Sequence, residues 1–166
     1  MNHKLITLRT SSIRLLVLLC SSLLCSCNAW KLPSEYVGTW KSTGSIITVR
    51  TGSLRSGYQF TSDVVKVSFK INADKTVSGS IGNTDFPDGS LRKNWGLPPS
   101  VTGVSYIIKC GTIGKIFPRD PLGSKEVEIW LSPLKNDLQL KAELRFTENM
   151  AAFPMAGIVF TKAGKE

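Results

Sequence analysis

Glu126 and Glu128 stand two residues apart, a spacing that puts both carboxylates on one face of a strand. Such a pair could divide acid and base roles at a glycosidic bond. Their face is the polar one of its segment and Lys125 adjoins them, so the sequence assigns them to a solvated outer wall. Asn83, Asp85 and Asp88 could offer oxygens to calcium, but Pro87 stands where a ligand is needed and no glutamate closes the loop. No metal site is expected. Cys110 shares a strand face with Tyr106 and Ile108, which marks a core thiol rather than a nucleophile. The single histidine, His3, lies close to the N-terminus. Once that end is removed, no Ser-His-Asp relay, Cys-His pair or His-ligated zinc can form. There is no Gly-x-Ser-x-Gly, phosphate loop or dinucleotide fingerprint. The expectation is a protein that is not an enzyme and carries no cofactor.

The elements that would position these residues read as β. Leu138, Leu140, Ala142, Leu144 and Phe146 alternate with Gln139, Lys141, Glu143 and Arg145, a period of two that a helix does not produce. Val127, Ile129 and Leu131 alternate with Glu126, Glu128 and Trp130, and Val65, Val67, Phe69 and Ile71 alternate within a Val64 to Ile71 strand. Shorter strands are expected at Ile46 to Thr51, Tyr58 to Thr61, Thr76 to Ile81, Ser105 to Cys110, Ile113 to Phe117 and Gly157 to Lys162. Asn72-Ala73-Asp74-Lys75 reads as a hairpin turn. Asp85 to Ser90, with Pro87, Asp88 and Gly89, reads as another, and Lys135-Asn136-Asp137 as a third. Glu148 to Met155 could hold one short turn, limited by Pro154. No stretch of ten residues beyond the leader shows a helical stripe. The fold class is therefore all-β, an antiparallel barrel of about eight strands, with a β-sandwich as the alternative.

The first residues carry Lys4, Arg9 and Arg14, no acid before Glu35, and an apolar run from Leu15 to Leu24. That is the layout of a secretory signal peptide, too short to span a bilayer. Leu24-Cys25-Ser26-Cys27 resembles a bacterial lipobox. The resemblance implies cleavage before Cys27, acylation of that cysteine and attachment to a membrane, since two or more chains anchor stably. Asn28, in place of Asp, points to the outer membrane. The alternative is cleavage after Ala29, which would release a secreted or periplasmic protein. The expected organisation is a signal peptide over 1–26, a lipid anchor and tether over 27–34, and a β-barrel domain over 35–166. Of 21 basic residues, Lys4, Arg9 and Arg14 leave with the leader, so the mature chain keeps a basic surplus over its 12 acids. A basic surface suits anionic lipid or lipopolysaccharide. The basic residues form no stripe with stacking aromatics, so nucleic acid is not an expected partner.

Gly38-Thr39-Trp40, ahead of the first strand, resembles the opening of lipocalins and of lipocalin-like bacterial lipoproteins. In that family the tryptophan plugs the closed end of the barrel against a basic residue from a late strand. Carried over, the resemblance makes Gly38, Trp40 and Arg145 barrel-end residues, with Lys162 second to Arg145. A barrel interior lined by Val67, Phe69, Ile129, Leu140 and Leu144 could hold a small apolar ligand, or those side chains could fill it. Arg92, Trp95 and Trp130 are candidate contacts for a partner or an envelope component. The functional expectation is a membrane-anchored lipoprotein with a lipocalin-like domain that binds a small apolar ligand or an envelope component. The alternative is a structural or interaction lipoprotein with a filled core.

Overall fold

The period-two segments form strands in the computed structural model, which describes residues 30–96, 98–134, 139–146 and 157–164. Cys27, Asn28, Ala29, Leu138, the expected turn at Lys135-Asn136-Asp137 and the segment Glu148 to Met155 lie outside the described residues. One compact unit runs from Leu32 to Glu166. It opens with a short 3-10 turn, Ser34–Tyr36. Ten strands follow among the described residues: β1 (Gly38–Ser42), β2 (Ser45–Ser53), β3 (Gly57–Val65), β4 (Val67–Ile71), β5 (Thr76–Ile81), β6 (Thr84–Lys93), β7 (Tyr106–Ile113), β8 (Lys125–Leu131), β9 (Gln139–Phe146) and β10 (Ile158–Lys162). The described helix of this unit is a single turn, α1 (Pro99–Thr102), begun by prolines and ended by Gly103 in the left-handed conformation.

Eight of the strands close into an antiparallel barrel in the order β1-β10-β9-β8-β7-β6-β5-β4, with β1 pairing β4 to complete the ring. Closure excludes the sandwich, and it removes the edges that an open sheet would leave. The inward residues are the apolar sets that alternation marks: Val67, Phe69 and Ile71 on β4, Val127, Ile129 and Leu131 on β8, Leu140, Ala142, Leu144 and Phe146 on β9. The Asn72 to Lys75 turn joins β4 and β5. Asp74 accepts the Thr76 hydroxyl and amide, which holds its carboxyl below the usual range.

Four expectations are corrected. Val64 to Ile71 is not one strand, because the ladder breaks at Lys66 and Val64 and Val65 end β3. The segment Asp85 to Ser90 is not a turn but the middle of β6. Gly79 pairs with Phe86 and Val77 with Gly89, so Pro87 and Asp88 oppose Ser78 as a β-bulge. A bulge accommodates a proline, which has no amide for the ladder. Ile113 ends β7, and Ile116 and Phe117 are buried in the loop beyond it rather than in a strand. Gly38 and Trp40 do not precede the first strand; they lie in it.

β2 and β3 stand apart from the ring as a two-stranded sheet. They continue β1 and β4 outward: Lys41 pairs Ser68 inside the barrel, and Ser45 pairs Val65 just beyond it. Between the two ladders the amide of Val67 donates to Ser42 Oγ at 2.8 Å. β1–β2 and β3–β4 thus form one long ribbon, half within the wall and half projecting from it. The ribbon leaves from the end of the barrel opposite the chain's point of entry, since β1 runs from the 3-10 turn towards β2.

Candidate functional site

The end where the chain enters is closed by the Gly-x-Trp segment. Tyr36 and Val37 return their amides to Pro33 and Ser34, which folds the chain across the barrel mouth. Trp40 points inward, and its indole Nε1 donates to the Tyr36 carbonyl at 2.9 Å. The Tyr36 ring meets Tyr106 edge-on at 4.7 Å, and its hydroxyl accepts the Leu134 amide at 3.3 Å. Burial pushes the Tyr36 phenol up, partly offset by that amide. Lys162, the register partner of Trp40, places its ammonium 5.4 Å from the indole centroid and donates to the Glu35 carbonyl at 2.8 Å. Gly38 makes this possible: a Cβ there would stand 2.9 Å from the Lys162 stem. An open groove of about 710 Å³ lies outside this end, lined in part by Val37, Gly38, Thr39, Lys41 and Lys162.

Arg145 does not sit at Trp40. It lies on the outward face of β9, its guanidinium 3.7 Å over the Trp130 ring and 3.0 Å from Glu143. Strand parity explains this: Leu144 and Phe146 point inward, so Arg145 cannot reach an inward tryptophan. Lys162 takes the place beside Trp40 instead.

The outer wall carries a linked set. Arg92 pairs with one oxygen of Glu128 at 3.1 Å, and Trp130 Nε1 donates to the other at 2.8 Å. Arg92 and Trp130 therefore meet through Glu128. Both oxygens of Glu128 are engaged in this set, while Glu126 lies two residues away on the same outer face of β8. Trp130 is half-buried and covers its register partner Ile107, which is buried although it faces outward. Trp95 is not part of this set. It lies in the loop after β6, 69% exposed, with the Lys93 ammonium 4.5 Å above its ring.

The five cavity candidates, Val67, Phe69, Ile129, Leu140 and Leu144, all turn inward and are fully buried. Ile129 and Leu144 are register partners, and the Phe69 ring lies 4.9 Å from Phe160. Phe86, hidden within the misread turn, joins them. Its ring sits over Gly79, where a Cβ would run into the Ser68 carbonyl and stand 2.8 Å from the ring. A second groove, of about 350 Å³, lies at the far end between the ribbon root and the β7–β8 loop, lined by Asp63, Val64, Lys66, Gly82, Asn83, Ile116, Phe117 and Pro118. None of the five candidates lines either groove.

One charged pair escaped the sequence reading. Lys125 begins β8 on the inward face and is buried against Asp120. Its ammonium also donates to the Gly114 and Gly123 carbonyls at 3.3 and 3.0 Å, and lies 5.3 Å from the Phe146 centroid. Asp120 accepts the amides of Ile116 and Leu122, each at 3.0 Å. The pair ties the β7–β8 loop across the far end. The signal for it was parity: Lys125 falls in line with Val127, Ile129 and Leu131.

Cys110 is a buried free thiol at a second bulge, where Lys109 pairs Glu128 and Gly111 pairs Val127. Burial, with the Glu128 charge adding to it, pushes its pKa far above the thiol range. Cys110 is thus expected to resist Ellman's reagent in the native chain and to react stoichiometrically in denaturant. Rapid native labelling at this residue would contradict its burial.

These features define a class: a small, closed, eight-stranded antiparallel barrel, plugged at one end by an N-terminal turn and carrying a β-ribbon at the other. Comparison of the chain with protein-family models, with curated proteins and with solved structures finds no significant match in any of the three.

Proposed function

We propose that the protein is a lipid-anchored, non-enzymatic, lipocalin-like barrel of the bacterial cell envelope, held in the outer membrane through Cys27, and that it works as an interaction module. The observation that carries the reading is the closed end. A Gly-x-Trp segment at the closed end, with a cation from a late strand over the indole, is the arrangement that the lipocalin resemblance implies. The unit that holds the barrel begins at Leu32, five residues beyond Cys27, so only a short tether would separate it from the acylated cysteine.

A small apolar ligand would sit among Val67, Phe69, Ile129, Leu140 and Leu144. The packing favours the filled-core version instead. Trp40, Phe69, Phe86 and Phe160 all turn into a ring of eight strands, whose interior is just wide enough for side chains. Binding would then fall to the outer surface. The test is made on the chain purified from its own envelope. Palmitate labelling is expected, and Cys27→Ala is expected to abolish it and to release the protein from the membrane fraction. Native mass spectrometry is expected to give the acylated chain alone. A stoichiometric extra mass lost on denaturation would restore the ligand-binding version, and labelling that survives Cys27→Ala would overturn the anchor.

A further inference from the structure

The loop between β6 and β7 carries apolar side chains outside the barrel core. Trp95 is 69% exposed and Val101 67%, and Pro98 and Pro99 between them are exposed as well. Single exposed apolar residues need no explanation, but four within seven residues of one loop do. The loop lies at the closed end, because β7 begins at Tyr106, whose ring meets Tyr36.

The loop is tied to itself. The Asn94 amide donates to the Ser105 carbonyl at 3.0 Å, which extends the β6–β7 ladder past Lys93 and Tyr106. The Asn94 side chain donates to the Val104 carbonyl at 3.2 Å and to the Thr102 hydroxyl at 3.4 Å, and accepts the Gly96 amide at 3.4 Å. The amides of Val101, Thr102 and Gly103 return to the carbonyls of Pro98 and Pro99, and the prolines bring no amide of their own. These amides therefore keep their partners when the loop leaves water, which removes the main cost of entering an apolar boundary. The charge around the loop has one sign. From Gly89 to Arg119 the chain holds five basic residues and no acidic one. Among the described residues at this end of the ring, Lys70, Lys75, Lys93 and Lys162 stand against Glu35 and Asp74. The Lys93 ammonium lies 4.5 Å over the Trp95 ring. A tryptophan and a lysine beside exposed apolar residues suit a lipid headgroup boundary, where the ring takes the interface and the ammonium meets phosphate.

We propose that the β6–β7 loop is a membrane-docking element, which seats Trp95, Pro98, Pro99 and Val101 in the headgroup boundary of an anionic phospholipid bilayer with Lys93 beside them. The choice of occupant rests on the charge and, in part, on the anchored reading above. The tether from Cys27 would join the unit just ahead of Ser34–Tyr36, at the same end as the loop. Acyl chains and loop would then meet one surface, and the loop would fix how the barrel stands on it.

The test uses the full chain purified from its own envelope and vesicles whose acyl chains carry bromine, which quenches tryptophan on contact. The vesicles are phosphatidylcholine alone, or phosphatidylcholine with an equal part of phosphatidylglycerol. Co-sedimentation reports attachment, and the emission that Trp95→Phe removes reports where Trp95 sits. Lys93 and Trp95 are both exposed, and matching thermal melts confirm that each variant is folded. In the anionic vesicles the Trp95 emission is expected to be quenched. Lys93→Gln is expected to lower the ratio of docked to free loop about fivefold, the weight of one cation near an anionic surface. Omitting phosphatidylglycerol is expected to lower it further. A chain that pellets with Trp95 unquenched would overturn the docking and leave the anchor standing, and a chain that stays in the supernatant would overturn both. Quenching indifferent to lipid charge and to Lys93 would also overturn the proposal.

Discussion

Replacing Asp120 by alanine is expected to cost the barrel about 3–5 kcal/mol, because it leaves the Lys125 ammonium buried without its counter-charge. Two carbonyls, from Gly114 and Gly123, would remain as acceptors, but neither carries a full charge. The same change orphans the amides of Ile116 and Leu122, so the β7–β8 loop loses its fastening at both points. For a domain of this size the loss corresponds to a fall in Tm of about 10 °C or more. Lys125→Met should cost clearly less, since Asp120 keeps two amide donors and the methionine fills the stem's volume. The double variant Asp120→Ala/Lys125→Met should recover part of the single Asp120 loss, the signature of a pair whose burial costs nearly as much as its attraction returns. Urea titrations of the three variants measure this. An Asp120→Ala chain within about 1 kcal/mol of wild type would show that the pair contributes little.

Trp40→Ala is the second large effect, expected at about 3–5 kcal/mol. The indole is fully buried, and three parts of the chain converge on it: the 3-10 turn through the Tyr36 carbonyl, β4 through Phe69, and β10 through Lys162. Truncation opens a cavity at the closed end and leaves the Tyr36 carbonyl without its donor. Trp40→Phe keeps an apolar ring but loses the Nε1 bond, and its cost should fall well below that of alanine. Denaturant midpoints for the two variants separate volume from hydrogen bonding. Equal losses would mean that the indole donor, not the packing, holds the plug.

Much of the barrel was legible because alternation is a local property. Leu138 to Phe146 announces an inward and an outward face from one segment, and β9 keeps that parity at every described position. β6 was not legible, because Pro87-Asp88-Gly89 has the composition of a turn, and only pairing with β5 shows that it is a bulge. The break at Lys66 was hidden for a related reason. Val65 and Val67 are both buried on either side of it, so the hydrophobic pattern runs across the point where the ribbon leaves the ring. The choice between Arg145 and Lys162 at Trp40 needed register as well as parity, and register is set by strands far apart in the sequence. Asp120 was invisible because its partner is fixed by a loop, whereas the inward position of Lys125 could have been read from its place in β8.

The closure of the ring also governs when the barrel can exist. Trp40 and Lys162 lie near opposite ends of the unit, yet they are neighbours in the wall. The hairpins from β4 to β9 can form from nearby residues, while the β1–β10 ladder requires a contact across almost the whole domain, the kind that forms late because its loop entropy is large. A chain delivered from its N-terminus therefore carries two unpaired strand edges until its last strand arrives. Ile158 to Lys162 acts as a latch: five residues at the tail decide whether the preceding sheet becomes a sealed cylinder or remains an adhesive one.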